Sequence, residues 1–270
     1  MKRFILIILL CSFAGKLLSF DVRLYDLFAP PSAPFASSFK QLENPAYLKW
    51  IIDNLDRLAH KDRRNLKVFR LRNIYTFLYW YVLPPDKKEK AVKLGLKFSE
   101  ETTSLFPRDP DGWLWKGSFL GLYGLMKGVL NVLNLAPRGL SYLLKAYKLD
   151  KTYLHGEPAI VLAKTLYKLP HFPVSYGDPE KARKLLSEAI SIDPDFPYGY
   201  VDLAELEAYE GNTLAALSYL TRLDDLHPRS WYAKIVYHWT LKVLPFFREQ
   251  ISKVKWHRYR NDFFDIPVTK

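Results

Sequence analysis

The second half of the chain repeats itself at an interval of 34 residues. Three pairs of identical residues are 34 positions apart: Ala182 and Ala216, Leu186 and Leu220, and Pro194 and Pro228. A fixed period of this length is typical of arrays in which one supersecondary unit stacks on the next, because a single unit cannot bury its own apolar face. Apolar residues from Tyr47 onward recur at helical spacing, and no segment alternates with period two. The sequence therefore predicts an all-α fold of stacked helical hairpins.

The repeat resembles the tetratricopeptide repeat (TPR), a pair of antiparallel helices with small residues where the helices cross. The matching residues form three units: Trp113, Gly117, Gly139, Leu143 and Ala146; Ala159, Leu162, Ala163, Tyr167, Ala182, Ala189 and Pro194; and Leu203, Ala204, Gly211 and Ala216. The two crossing positions are 12 residues apart in the last unit, but 19 and 22 in the two units before it. The resemblance therefore implies a solenoid of degenerate TPR-like repeats with lengthened helix connections.

A run in the middle unit resembles exported TPR proteins of the T-component family of TRAP transporters. The shared residues are Gly156, Pro158, Leu162, Lys164, Leu166, Tyr167, Leu169, Pro170, Gly177, Asp178, Lys181 and Ala182. The resemblance covers about residues 87–228. It implies a non-enzymatic accessory subunit of a solute uptake system, with a solute-binding protein as its partner. An adaptor for cell-envelope assembly is the alternative among binding proteins.

The N-terminus has the layout of a signal peptide over residues 1–19. A basic start precedes an apolar stretch, Phe4–Ala14, which is too short to span a bilayer comfortably, and Ser19 is a small residue at an expected cleavage point. We therefore expect export to the periplasm. Cys11 is the chain's single cysteine and follows Leu10 rather than a small residue, which favours a cleaved signal over a lipoprotein. An uncleaved anchor is a further alternative.

The remaining chain divides into three parts. Residues 20–46 are rich in proline and predict an extended N-terminal arm, residues 47–245 hold the solenoid, and residues 246–270 form a basic, aromatic helix or tail. The formal net charge is +12, and the tail contributes Lys253, Lys255, Arg258 and Arg260. We expect a capping helix with a solvated basic face, with contact to acidic lipid headgroups or an acidic partner as the alternative. Export argues against nucleic acid as a partner.

No motif in the sequence indicates catalysis. The six histidines are scattered without metal-ligand spacing, and neither a Gly-x-Ser-x-Gly elbow nor a phosphate-binding loop occurs. The sequence therefore predicts no enzyme, no metal and no cofactor. An enzyme with an unrecognised site is the alternative from another class, and convergent buried carboxylates or a His–carboxylate pair in the groove would favour it.

The TPR resemblance implies that first-helix residues line an inner groove. These residues are Leu114, Ser118, Ile160, Lys164, Tyr167, Tyr198, Val201, Glu205 and Tyr209. Such a mixture of apolar, aromatic and charged side chains suits a peptide segment or an amphipathic small molecule. Tyr167 and Tyr209 are the expected aromatic anchors. The alternative is that some of these side chains pack against the long connections.

Overall fold

The structure, a computed structural model, describes residues 35–258 together with Asp262 and Phe264. In this part of the chain 11 α-helices occur and no strand. The helices are α1 Phe35–Leu42, α2 Pro45–Lys61, α3 Leu66–Val82, α4 Pro85–Leu105, α5 Pro110–Lys127, α6 Val129–Leu149, α7 Tyr153–Lys168, α8 Pro179–Ile192, α9 Pro197–Tyr209, α10 Thr213–Arg222 and α11 Trp231–Ser252, with a short 3-10 helix at Leu223–Asp225. The predicted all-α fold is confirmed. None of the helices described here is long and apolar enough to cross a membrane, and the predicted signal peptide, with Cys11, lies outside the described residues.

The helices pack as consecutive antiparallel hairpins: α3 on α4, α5 on α6, α7 on α8, and α9 on α10. The first helices of the hairpins, α3, α5, α7 and α9, also contact one another in order, and α11 packs on α9. The second helices make at most sparse contacts with each other. The first helices therefore form the inner layer of a curved solenoid, as the repeat predicts. The sequence template missed the α3–α4 hairpin.

Prolines and side-chain caps set the starts of these helices. Proline occupies the first turn of α2, α4, α5, α8 and α9, where its missing N–H is not needed. The side chain of Asn44 accepts a hydrogen bond from Ala46 N at 2.9 Å, and Asp178 accepts one from Lys181 N at 2.9 Å. The Gly-Asp-Pro turn before α8 is thus a capped helix start.

The predicted crossing positions lie where the helices approach most closely. A Cβ on Gly117 would lie 2.6 Å from Leu143 Cγ on the paired helix. Ala163 and Ala204 are fully buried, as are their partners Ala182 and Ala216 on the second helices. Small residues at these points let the helix axes approach.

The extra residues of the two longer units are accommodated in different ways. Between α7 and α8 they form the predicted long connection over residues 169–178, which exposes Phe172 and Tyr176. An open cavity of about 870 Å³ lies between this connection and α6, with Leu144 among its lining residues. In the preceding unit the helices themselves are long, with 18 residues in α5 and 21 in α6. Only Gly128, with a φ of +92°, separates these two helices, so this unit has no long connection.

A buried carboxylate holds three first helices in register. Asp111, at the start of α5, accepts hydrogen bonds from Asn73 Nδ2 on α3 at 2.6 Å and from the Tyr153 hydroxyl on α7 at 2.7 Å. The indole N–H of Trp115 donates a third bond at 2.8 Å. Burial raises the pKa of Asp111 to about 7, against the effect of these hydrogen bonds.

The structure corrects both predicted ends of the solenoid. The predicted arm does not stay extended to residue 46: α1 begins directly after Pro34 and buries Phe39, whose ring stacks on His238 of α11 at 4.8 Å. A proline can precede a helix without breaking it, which is why the proline count misled here. At the other end α11 crosses the predicted boundary at residue 245 and ends at Ser252.

We predict opposite effects for the same substitution at two glycines of α5. In Gly117→Ala the new methyl group would overlap Leu143, so the free energy of unfolding should fall by roughly 1 to 3 kcal/mol. At Gly121 no atom lies within 4 Å of the place that a methyl group would take, so Gly121→Ala should stabilise by about 0.5 to 1 kcal/mol through helix propensity. Urea unfolding of both variants measures this. Equal stability of the two variants would contradict the assigned crossing.

Candidate functional site

The inner layer carries a compact cluster of charged side chains between α7 and α9. Lys164 Nζ lies 2.8 Å from Asp202 Oδ1 and 3.0 Å from Glu205 Oε2. Asp202 and Glu205 are three residues apart on α9, so they share one helix face opposite Lys164. Burial alone would lower the pKa of Lys164, but the facing carboxylates raise it well above its ordinary value. Lys164 is therefore a largely buried, charged ammonium group.

Two tyrosines complete the hydrogen bonding of these carboxylates. The Tyr167 hydroxyl is 2.7 Å from Glu205 Oε2 and 3.0 Å from Asp202 Oδ1, and the Tyr209 hydroxyl donates to Glu205 Oε1 at 3.0 Å. The two rings are 5.8 Å apart. Burial, followed by the charges of the carboxylates, raises the pKa of both tyrosines far above its ordinary value. Both hydroxyls therefore remain protonated and act as donors.

Two residues near the C-terminus, Asp262 and Phe264, reach this cluster, and they are called the C-terminal segment below. The carboxylate of Asp262 forms an ion pair with Lys168, and its Oδ1 lies 3.5 Å from Lys164 Nζ. Although burial opposes ionisation, the charges of Lys164 and Lys168 hold the pKa of Asp262 well below its ordinary value. Asp262 is thus a charged group seated between two lysines of α7.

Phe264 occupies an aromatic pocket next to the ion pair. Its ring centroid lies 5.4 Å from that of Tyr198 on α9 and 5.6 Å from that of Tyr81 on α3, both edge to face. Phe77 and Trp80 of α3 complete the pocket at 6.0 and 6.5 Å. Lys164 Nζ lies 4.4 Å from the Phe264 centroid, so one ammonium contacts both the carboxylate and the ring of the segment.

Trp256 and Arg258, just after α11, are also packed against the body. Trp256 is buried, with its ring 4.5 Å from that of Phe247. Arg258 forms an ion pair with Glu210, and its Nη1 lies 3.2 Å from His171 Nε2. The predicted helix does not extend over this stretch, because α11 ends at Ser252. Lys253 and Lys255 are exposed, as predicted for a solvated basic face, whereas Arg258 is not. Arg260 lies outside the described residues.

The predicted groove residues fall into two groups. Lys164, Tyr167, Glu205 and Tyr209 come together in the cluster, and Tyr198 contacts the Phe264 ring. Leu114, Ile160 and Val201 are at most 2% exposed and belong to the hydrophobic core, so they do not line an accessible groove. Tyr167 and Glu205 are also fully buried, so the predicted anchor Tyr167 contributes its hydroxyl to the cluster and presents no exposed aromatic surface. Ser118 is half-buried and donates to the Leu114 carbonyl of its own helix.

Sequence reasoning missed the pocket rings Phe77, Trp80 and Tyr81 and four further members of the site. Lys168 lies one turn after Lys164, and Asp202 lies one turn before Glu205, so helical spacing from the predicted residues could have found both. Asp262 and Phe264 carry no such signal, because Lys168 and Asp262 are 94 positions apart. Of the described residues, no group of three or more His, Cys, Asp or Glu side chains could hold a metal ion.

Away from this cluster, three polar side chains form a hydrogen-bonded row at the end of the solenoid where α7, α8 and α11 meet. His155 Nδ1 is 2.6 Å from Asp193 Oδ2, and His155 Nε2 is 2.6 Å from Ser230 Oγ. With Nδ1–H donated to Asp193, Nε2 accepts the serine proton, which is the order found in Ser-His-Asp hydrolases. Ser230 Oγ also accepts the N–H of Ala233 at 3.0 Å and so caps α11.

The backbone at this histidine is strained. Leu154, His155 and Gly156 have φ values of +47°, +66° and +84°, in the left-handed region that favours glycine. The regular part of α7 therefore begins at Glu157. The His155 ring stacks on Phe196 at 5.0 Å, and this contact helps to hold it in place.

Comparison with known proteins identifies the fold only. No protein-family model and no curated protein matches the chain. Its structure is similar to the crystal structure of a thermophilic TPR protein of Thermus thermophilus, with a TM-score of 0.54 and 17% sequence identity. The match covers 73% of this chain and 91% of that chain. The chain therefore has a TPR-like fold.

We predict that Glu157 makes the protein less stable at alkaline pH. Its Oε1 accepts the Tyr232 hydroxyl at 2.8 Å, and burial raises the pKa of Glu157 to about 8. Because the unfolded pKa is about 4.3, the folded state holds the proton more tightly, and the free energy of unfolding falls as pH rises from about 5 to 8. Glu157→Gln keeps an acceptor for Tyr232 without ionising. In this variant the fall in the free energy of unfolding should be smaller than in the wild type by roughly 3 kcal/mol.

The measurement is urea unfolding of the wild type and Glu157→Gln at pH 5.5 and 8.5. Glu180→Gln, at an exposed carboxylate of α8, is the matched control and should follow the wild type. Asp111 titrates in all three proteins, so its contribution cancels in the comparison. A Glu157→Gln curve parallel to the wild type would show that this carboxyl is not the source of the pH dependence.

Proposed function

We propose that the protein is a non-enzymatic scaffold that binds a partner protein along its inner helix layer. One observation carries the proposal: the side chains of Asp262 and Phe264 already lie in this layer and are held by both charge and aromatic contacts. A surface that accepts an acidic and an aromatic side chain of its own chain has the chemistry to accept the same side chains from a partner. An amphipathic small molecule is the alternative ligand for the same surface.

The polarity of the two layers supports this side as the binding face. On α8, a second helix, Glu180, Lys181 and Lys184 are exposed, as on an ordinary solvated helix face. The inner layer instead buries charges beside half-buried aromatic rings such as Tyr209. Buried polar groups next to aromatic surface give an interface orientation as well as affinity.

We further propose that the protein is exported and acts as a T-component-like subunit of a TRAP-type uptake system. The signal layout of residues 1–19 and the T-component-like run support this. That run covers the regular part of α7, the long connection and the start of α8, and it includes Lys164 and Tyr167 of the cluster. A solute-binding protein is then the partner, with an envelope-assembly adaptor as the alternative role.

We predict that a photo-crosslinker on the inner layer captures the partner and one on the outer layer does not. Tyr209 of α9 and Tyr219 of α10 are both half-buried tyrosines, on the first and second helix of one hairpin. p-Benzoylphenylalanine replaces each of them in the full chain, expressed in its own host. After irradiation, adducts are identified by mass spectrometry in the exported fraction.

The expected result is an adduct from position 209 with one exported protein and none from position 219. A solute-binding protein as the adduct supports the transporter role, and an envelope-assembly protein supports the adaptor role. Adducts from position 219 alone would contradict the inner-layer assignment. A full-length protein retained in the cytoplasm would contradict export.

A second candidate function, acyl-ester hydrolysis, is favoured by the Ser230–His155–Asp193 chain. Its hydroxyl, imidazole and carboxylate are joined by two contacts of 2.6 Å in catalytic order. In attack, Ser230 Oγ would bond to the acyl carbon, its proton would pass to His155 Nε2 and then to the leaving alcohol, and water would release the acid. The N–H of Ala233 donates a hydrogen bond to Ser230 Oγ, which draws electron density from this oxygen and weakens it as a nucleophile. Ester hydrolysis is therefore the second candidate, after the scaffold function.

A fluorophosphonate probe separates the two candidates, because only an activated serine is phosphonylated. The scaffold proposal predicts no labelling of Ser230 in the full chain. Labelling that is lost in His155→Ala and kept in Ser218→Ala, an exposed serine of α10, would instead establish the hydrolase. Mass spectrometry of the labelled peptide gives the site.

A further inference from the structure

The C-terminal segment presents two side chains to the inner layer in a fixed relation. The backbone N–H of Phe264 donates to Asp262 Oδ1 at 2.9 Å, which ties the two residues together. Their carboxylate and ring, two positions apart in sequence, both contact the ammonium of Lys164. The element that the layer contacts is therefore compact: an acidic residue, one further residue, and an aromatic residue.

The layer receives each of these side chains at a separate place. Lys168 pairs with Asp262 Oδ2 while Lys164 approaches Oδ1, so each carboxylate oxygen has its own cation. The four rings around Phe264 come from α3 and α9, which lie on either side of α5 and α7 in the chain order. A segment with only one of the two side chains would use only half of this site.

The charge balance of the cluster shows that the segment is not needed to neutralise the lysines. Without Asp262, Lys164 keeps Asp202 at 2.8 Å and Glu205 at 3.0 Å, and Lys168 keeps Glu205 at 3.7 Å. Two ammonium groups then face two carboxylates, whereas with Asp262 they face three. Departure of the segment therefore leaves no unpaired buried cation, which is the main penalty that would otherwise hold it in place.

The segment is also tethered close to the site. Trp256 is buried against Phe247, and Arg258 pairs with Glu210 at the end of α9. A ligand on so short a connection has an effective concentration in the millimolar range, so it competes strongly with a partner in solution.

We propose that Asp262 and Phe264 are an internal occupant of the partner-binding surface, and that the partner displaces them with an exposed segment carrying an acidic residue followed two positions later by an aromatic residue. This proposal rests on the proposed scaffold function and names both its partner chemistry and its regulation. The partner and the C-terminal segment therefore cannot occupy this surface at the same time.

The test measures binding of a fluorescein-labelled peptide with the sequence of residues 258–267 to the full-length protein by fluorescence anisotropy. In the wild type the resident segment competes. In Phe264→Ala, and in the milder variant Asp262→Asn, the resident segment is weakened, and we expect the peptide to bind at least tenfold more tightly. Phe246→Ala, at a phenylalanine of α11 that is 46% exposed, is the matched control and should bind as the wild type does.

Two further arms show whether the peptide uses the same contacts. A peptide carrying Phe264→Ala or Asp262→Asn should lose at least tenfold in affinity for the Phe264→Ala protein. Lys168→Met in that protein should abolish binding, while Lys184→Met on the exposed face of α8 should not. Circular dichroism and urea unfolding confirm that each variant is folded. Peptide binding that is equal in the wild type, Phe264→Ala and Asp262→Asn proteins, or unaffected by Lys168→Met, overturns the proposal.

Crosslinking from position 209 separates this proposal from the scaffold function. More partner adduct in Phe264→Ala than in the wild type supports both. Equal adduct in the two proteins, with no effect of added peptide, overturns the internal occupant and leaves the scaffold function standing. Tight peptide binding to Phe264→Ala without any partner adduct overturns the scaffold function, and with it the assignment of a displacing partner.

Discussion

The ammonium group of Lys164 is the interaction on which the inner layer depends. Its side chain is 14% exposed, and an isolated ammonium at such a depth would lose its proton rather than remain charged. Asp202 and Glu205 from the neighbouring repeat keep it charged, so one side chain couples α7 to α9. Removing Lys164 would leave the buried Asp202 without its ion pair and Glu205 with Lys168 at 3.7 Å, which is more damaging than losing the pair as a whole. Binding experiments therefore belong at Lys168 and Tyr209, where structure and recognition can be separated.

The fold of this chain is easier to predict from its sequence than the site is. The 34-residue period and the small residues at Gly117, Ala163 and Ala204 report helix crossings, which are local and recur in each unit. Template positions beside a crossing are less reliable, because helical spacing does not say how deeply each of them is buried. Ile160 and Val201 belong to the hydrophobic core. The α3–α4 hairpin was missed because its small residue is Gly95, which receives the Phe119 ring of the next unit.

The features that the sequence does not predict depend on contacts between residues that are far apart in the sequence. His155, Asp193 and Ser230 belong to three different turns, and the two hydrogen bonds of His155 join residues that are 38 and 75 positions apart. The periodicity of the sequence does not predict contacts between residues so far apart. The left-handed backbone at Leu154 and His155 costs on the order of 1 to 3 kcal/mol per residue, which only the folded surroundings can offset. The return of the C-terminal segment is the same kind of event, and a basic, aromatic sequence alone favours a solvated tail as readily as a docked one.

The charged side chains of the inner layer act at short range, whereas the net charge of the molecule acts at long range. A net charge of +12 attracts any acidic partner at long range, and added salt screens that attraction. Lys164 and Lys168 contribute little to it, because Asp202 and Glu205 neutralise them at short range. Selectivity at the site must then come from geometry: a carboxylate placed between two ammonium groups and a ring placed among four others. Since such contacts are desolvated, they resist salt, and surface charge governs how fast a partner arrives while the acidic–aromatic pair governs whether it stays.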